Sequence, residues 1–111
     1  MKEEQMIIEM YDVICNARKT DRIRDYFSEE FEEITPGFEG KGPEAFLKRN
    51  EDFFTSAGAA IEMVKVFADT QKPTVGVYAK ARFKGKTLFR IAGFFEIKDG
   101  KIVSHKSLHQ Q

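Results

Sequence analysis

From Thr74 to Ile97 the chain changes sides at almost every residue. In TVGVYAKARFKG, Val75, Val77, Ala79, Ala81 and Phe83 fall on one face, and Tyr78, Lys80, Arg82 and Lys84 on the other. In KTLFRIAGFFEI the apolar face carries Phe89, Ile91, Gly93, Phe95 and Ile97. A period of two over such lengths predicts strands with one buried face and one wet face. Asp99-Gly100 then predicts a tight hairpin, because this pair tolerates positive φ at both central turn positions. KIVSHKSLHQ follows as the closing strand. AIEMVKVFADT, upstream, reads as a further strand whose inward parity is ambiguous.

The first half has a different period. Ile7, Met10, Tyr11, Ile14 and Ala17 recur at three–four spacing and predict an amphipathic helix over residues 3–18. Glu3, Glu4 and Glu9 lie toward its start and Arg18 and Lys19 at its end, as the helix dipole prefers. Thr20 or Asp21 caps a short second helix with Ile23, Tyr26 and Phe27 on its apolar side. FEEITPGFEGKG reads as a brief extended segment broken by Pro36 and three glycines, then a loop. A third helix runs from Pro43, at its first turn, to Gly58, its stop. Its inner stripe is Phe46, Leu47, Asn50, Phe53, Phe54 and Ala57. Helices first and an antiparallel meander after predict an α+β domain, with three helices on one face of a curved sheet. At 111 residues, 1–111 is expected to be one domain.

Composition narrows the function classes. Eighteen basic and eighteen acidic residues cancel, which argues against a nucleic-acid or acidic-membrane surface. No apolar run approaches the ~20 residues of a membrane span. The start, MKEEQMIIEM, is acidic where a signal peptide is basic. Cys15 stands alone and reads as a buried thiol in a reducing compartment. A cytoplasmic location is therefore expected. Eleven phenylalanines and no tryptophan supply apolar bulk without polar handles, suited to a core or a greasy cavity.

The segments TDRIRDYFSEEFEEITP and FEIKDGKIVSH, with GKGPEAF between them, carry a resemblance over nearly the whole chain. The sequence resembles the nuclear transport factor 2-like superfamily, in particular its SnoaL-like branch, which includes polyketide cyclases and is related to ketosteroid isomerases. The resemblance implies a cone-shaped, strongly bent antiparallel sheet wrapped around a helix, with an apolar pocket between them. It also implies dimers through the outer sheet face. The superfamily hosts isomerases, cyclases, dehydratases, epoxide hydrolases, transport factors and association domains, so fold alone does not fix function.

In the isomerase-type site, the resemblance implies a tyrosine on the first helix, an aspartate base just before a proline, and a protonated acid in the sheet. The base moves a proton beside a carbonyl, and the other two groups stabilise the oxyanion. Tyr11 matches the tyrosine. Thr35, before Pro36, falls where the base belongs, and Gly93 where the acid belongs. Neither can do that chemistry, so the carboxylate mechanism is expected to be absent.

The remaining candidates each have two readings. Tyr11 is an oxyanion donor or a core tyrosine. Asn50 is a pocket-lining amide or one bonded to nearby backbone; unpaired, it would cost about 1–3 kcal/mol. Glu33 shares the face of Thr35 and so offers a carboxylate near the lost base, against its reading as part of a solvated acidic edge, SEEFEE. Cys15 lacks an activating motif and reads as inert. His105 and His109 lie four apart. On a helix that spacing brings side chains within about 6 Å and suits a metal; on a strand it leaves them about 13 Å apart. No metal and no cofactor are expected. Strand parity puts His105, Ser107 and His109 on one face, with Lys106 and Leu108 on the other. The resemblance turns the histidine face toward the cavity.

The expected pocket is lined by Tyr11, Thr35, Asn50, Phe54, Gly93, Phe95, His105 and His109. Three functions follow: a binding domain for a small apolar or aromatic molecule; an isomerase- or cyclase-type enzyme using His105 and Tyr11; or a homodimeric interaction module. Phe94, with Arg90, Ala92 and Glu96, marks the outer face as the self-association surface, continued by Tyr78, Lys80 and Arg82 on the neighbouring strand.

Overall fold

The computed structural model describes residues 2–69 and 71–110, and for residues 108–110 the backbone alone. Six strands form one curved sheet: β1 (Phe27–Thr35), β2 (Phe38–Lys41), β3 (Ala60–Ala68), β4 (Thr74–Phe83), β5 (Lys86–Lys98) and β6 (Lys101–Gln110). Their order across the sheet is β2-β1-β6-β5-β4-β3. The last four make the expected antiparallel meander. Its two tight hairpins turn at Lys84-Gly85 and Asp99-Gly100, all four residues at positive φ, the geometry that matches strand twist.

The first half adds what local periodicity did not show. FEEITPGFEGKG is not a short extended piece and a loop. β1 runs nine residues, turns at Pro36-Gly37, and returns as β2. β1 is flanked on both sides, because it also pairs with β6 in parallel. Register slips in β1, β3, β4 and β5 bend the sheet toward the helices.

The helices are shorter than their patterns. α1 (Glu3–Met10) passes into a π-helical turn over Tyr11–Asn16. There the Ala17 amide reaches back five residues to the Asp12 carbonyl, at 2.8 Å. The wider turn brings Cys15 inward and leaves Ala17 exposed, so the apolar stripe is Ile7, Met10, Tyr11, Ile14 and Cys15. A 3₁₀ turn follows over Thr20–Asp25. The third helix is two: α2 (Glu44–Arg49) and α3 (Glu51–Thr55), broken at Asn50. The Asn50 side-chain amide donates to the Phe46 carbonyl at 2.8 Å, a local bond that competes with helical continuation.

Arg18 closes the end of α3. Its guanidinium donates to the carbonyls of Phe53, Phe54, Ser56 and Ala59 at 2.9–3.2 Å and lies 4.5 Å from the Phe53 ring centre. The Phe53 and Ser56 carbonyls also accept from the Ser56 and Ala59 amides, at 3.2 and 2.9 Å, so the cation adds to the backbone bonds that end α3. Arg18→Met keeps the stem and removes the donors. It should lower stability by about 2–3 kcal/mol in urea unfolding. An unchanged midpoint would show that the carbonyls are equally well served by water.

Candidate functional site: a buried glutamate–histidine pair

Four residues stand in a row across the inner face, one from each of four strands. Glu33 on β1 pairs with His105 on β6, His105 with Phe95 on β5, and Phe95 with Val75 on β4. The parallel ladder thus sets Glu33 beside His105. The Glu33 Oε1–His105 Nδ1 distance is 2.9 Å, with the two side chains 0% and 1% exposed. The acidic segment is therefore not a solvated edge. Glu32 points out, Glu33 points in, and the two lie on an interior strand. Parity gave the right direction; the surrounding acids concealed it.

Aromatic rings wall the pair. The imidazole lies flat on Phe95, ring centres 4.1 Å apart and planes 9° from parallel. Phe46, from α2, meets the imidazole at 5.8 Å and Tyr11 at 6.3 Å, both edge-on. Tyr11, from the π-helical turn, also meets Phe95 edge-on at 5.9 Å. Phe46 is thus the lid between the helices and the polar pair.

A carboxylate only accepts. With Glu33 ionised and the imidazole neutral, His105 donates from Nδ1, and Nε2 carries the free lone pair. Among the described residues, that Nε2 has no hydrogen-bond partner, and neither do Glu33 Oε2, the Tyr11 hydroxyl or Ser107 Oγ. Burial, and to a lesser extent Cys15 and then Glu33, hold the Tyr11 phenol well above its ordinary pKa. It therefore remains a hydrogen-bond donor wherever the protein is folded. Burial likewise pushes the Cys15 thiol far up, so it is inert.

Gly93 is hemmed in by three consecutive residues of β6, His105 to Ser107. A Cβ at this position would stand 3.0 Å from His105 Nε2 and 2.8 Å from both the Lys106 carbonyl oxygen and Ser107 Cβ. The place where the resemblance implies an acid side chain is bounded by the imidazole of the next strand. Thr35 is buried and accepts a hydrogen bond from Arg49 Nε at 2.9 Å, so it clasps the end of α2 to the β1–β2 turn. Asn50 is committed to the Phe46 carbonyl, the backbone reading. Phe54 is half-buried and packs on Phe53 and the Arg18 guanidinium. The backbone of His109 pairs with Ile91; its side chain lies outside the described residues. Among the described residues, no group of three His, Cys, Asp or Glu side chains could hold a metal ion.

The outer face carries a groove of about 1110 Å³, running from the Pro36-Gly37 turn past Ile34, Lys106 and Phe94 to Phe67. Phe94 is 54% and Phe67 46% exposed. The Phe67 ring lies over Gly76, where any side chain would overlap it. Parity placed Phe94 outward. Phe67 sits beyond the bulge that made the parity of β3 ambiguous.

The profile of the SnoaL-like domain matches residues 7–105. The chain belongs to the SnoaL-like family, within the nuclear transport factor 2-like superfamily. No curated protein matches it in sequence. Its fold is shared with a candidate SnoaL-like polyketide cyclase from Jannaschia sp. CCS1 (TM-score 0.77, 15% identity, covering 97% of this chain and 85% of that one). It is also shared with a candidate ketosteroid isomerase from Kribbella flavida (0.79, 14%, 99% and 78%). An NTF2-like protein of unknown function from Cytophaga hutchinsonii is similar too (0.75, 15%, 99% and 91%). These likenesses are of fold. What this SnoaL-like domain does is argued from Glu33, His105 and their neighbours.

Gly93→Ala tests the packing of the site. The added methyl must displace the imidazole or the β6 backbone, and should cost about 1–3 kcal/mol. It should also shift the His105 ring resonances in NMR. A neutral substitution with unmoved resonances would mean that the space over Gly93 is open.

Proposed function

We propose that this SnoaL-like domain binds a small apolar or aromatic molecule on the inner face of the sheet, against Phe95, Tyr11 and the Glu33-held imidazole of His105. One observation carries the reading. His105 Nε2, Glu33 Oε2 and the Tyr11 hydroxyl are buried in one aromatic nest without partners among the described residues. Each orphaned buried polar atom costs about 1–3 kcal/mol. A fold tolerates several together where a ligand supplies the missing bonds.

Entry requires Phe46 to swing aside. It hangs on a six-residue helix, α2, held to the β1–β2 turn by the Thr35–Arg49 bond. No helix among the described residues is long and apolar enough to cross a membrane. The lone buried Cys15 fits a cytoplasmic setting.

A catalytic reading rests on the same geometry. Glu33 fixes the imidazole by Nδ1, which leaves Nε2 as a base for a proton beside a ligand carbonyl. Tyr11 donates to the oxygen where charge gathers. In this arrangement an imidazole does the work of the missing aspartate.

The outer face supports a homodimer. An apolar row (Ile34, Phe94, Phe67), interrupted by Lys106, has Glu32 and Glu96 on one side, with Lys41 beside Glu32, and Lys80 and Arg90 on the other, with Glu62 beside Lys80. A two-fold axis through the apolar row sets Glu32 and Glu96 of each copy over Lys80 and Arg90 of the other.

A thermal-shift screen with steroids, polyketides and aromatic acids tests the binding reading, since a ligand that binds only the folded state raises Tm. At least one class should raise Tm in a concentration-dependent way. No shift from any class counts against a ligand site. If a substrate is found, His105→Ala should abolish turnover; retained turnover removes His105 as the base. Phe94→Glu should convert a dimer to a monomer in sedimentation velocity. A dimer that survives the change lies elsewhere.

A further inference from the structure

The polar atoms that the inner site leaves free have a definite sense. With the Glu33 carboxylate accepting from Nδ1–H of a neutral imidazole, His105 Nε2 and Glu33 Oε2 are acceptors, while the Tyr11 hydroxyl donates. Ser107 Oγ turns to either role. Among the described residues, the buried polar and charged set is Glu33, Thr35, Asn50, His105 and Ser107, so no lysine or arginine is buried with them. Arg49 is only partly buried and is bonded to Thr35 at the end of α2, and Arg18 is committed to four carbonyls at the end of α3. An oxyanion hole of the isomerase kind has the opposite sense. There two donors await a negative oxygen. Here the position of one donor is Gly93, and an acceptor nitrogen borders the space above it at 3.0 Å from where a Cβ would stand.

A ligand entering this nest meets three constraints. Its body must be apolar and flat enough to lie among Phe46, Phe95 and Tyr11. It must bring a hydrogen-bond donor for Nε2. It must not bring an anion, because a negative group would share a low-dielectric site with the Glu33 carboxylate and find no buried cation.

We infer that the site selects neutral, hydroxyl-bearing aromatic molecules, the ligand O–H donating to His105 Nε2, and rejects the corresponding carboxylates. This rests on the proposed inner-face ligand site and names the chemical class it takes. Tyr11 donates in turn to the ligand oxygen, so a single hydroxyl is read in both senses. Glu33 is the positioning residue: it fixes the imidazole by Nδ1 and supplies the charge that excludes anions.

Three probes of similar shape separate the terms: naphthalene, 2-naphthol and 2-naphthoate. Each is titrated near neutral pH into the native chain and into Phe46→Ala, where the missing ring leaves an apolar cavity of the kind that takes up small aromatic molecules. The expected order in both proteins is naphthol about tenfold tighter than naphthalene, with naphthoate weakest. Naphthol, and not naphthalene, should also shift the His105 Nε2 resonance in ¹⁵N NMR. In Glu33→Gln, whose folding is checked by circular dichroism, the disadvantage of naphthoate should shrink at least tenfold.

The outcomes divide cleanly. If the order appears in Phe46→Ala but the native chain binds none of the probes, the polarity inference stands and the native ligand-site reading falls. If the probes bind without preference, or naphthoate binds best, the inference is overturned while the ligand-site reading survives. If neither protein binds any probe, or naphthol leaves the Nε2 resonance unmoved, the nest is not a hydroxyl-reading site. In that case both fall.

Discussion

The hydrogen bond between Glu33 and His105 joins the first strand of the chain to the last. Both side chains are buried, and among the described residues no other side chain bonds the Glu33 carboxylate. Removing one partner from such a buried pair costs about 3–5 kcal/mol, because the group left behind cannot reach water. The pairing demands a parallel register between β1 and β6, and that register closes the sheet order around the helices. A carboxylate placed in the middle of an aromatic face is thus satisfied only in this topology.

Neighbouring choices follow from that contact. The imidazole needs a flat apolar support and rests on Phe95; it needs room at Nε2, and Gly93 leaves it. Phe46 covers the pair, and Asn50, through the Phe46 carbonyl, ends the helix that carries the cover. The apolar row of Ile34, Phe94 and Phe67 lies on the other side of the same strands. The proposed ligand site and the proposed self-association surface therefore lie on opposite faces, although strands β1, β5 and β6 contribute to both.

Much of this was legible in the residues. Alternation located β4, β5 and β6 and gave Phe94 and His105 their directions, and Asp99-Gly100 announced its hairpin. These signals are local: each strand names its own faces. What escaped was set by distant partners. The nine-residue length of β1 depends on β6, some seventy residues later, and Glu33 is buried by that pairing against the evidence of its acidic neighbours. The π-helical turn at Tyr11–Asn16 turns Ala17 out of the expected stripe, while Cys15 is buried as expected. Arg18 was legible as a helix-end cation but not as the cap of α3, since its four carbonyls lie 35–41 residues away. The family resemblance implied the cone and pointed to Thr35 and Gly93, and Glu33 entered as a carboxylate on the face of Thr35 whose acidic neighbours also allowed a solvated reading.

The central claim is that Glu33 holds His105 in one tautomer, with Nδ1 protonated and Nε2 free. ¹⁵N NMR of the imidazole near neutral pH tests it most directly. The account predicts a proton on Nδ1, none on Nε2, and a loss of this fixed pattern in Glu33→Gln. An imidazole that averages between tautomers as an exposed one does, or that carries its proton on Nε2, would contradict it.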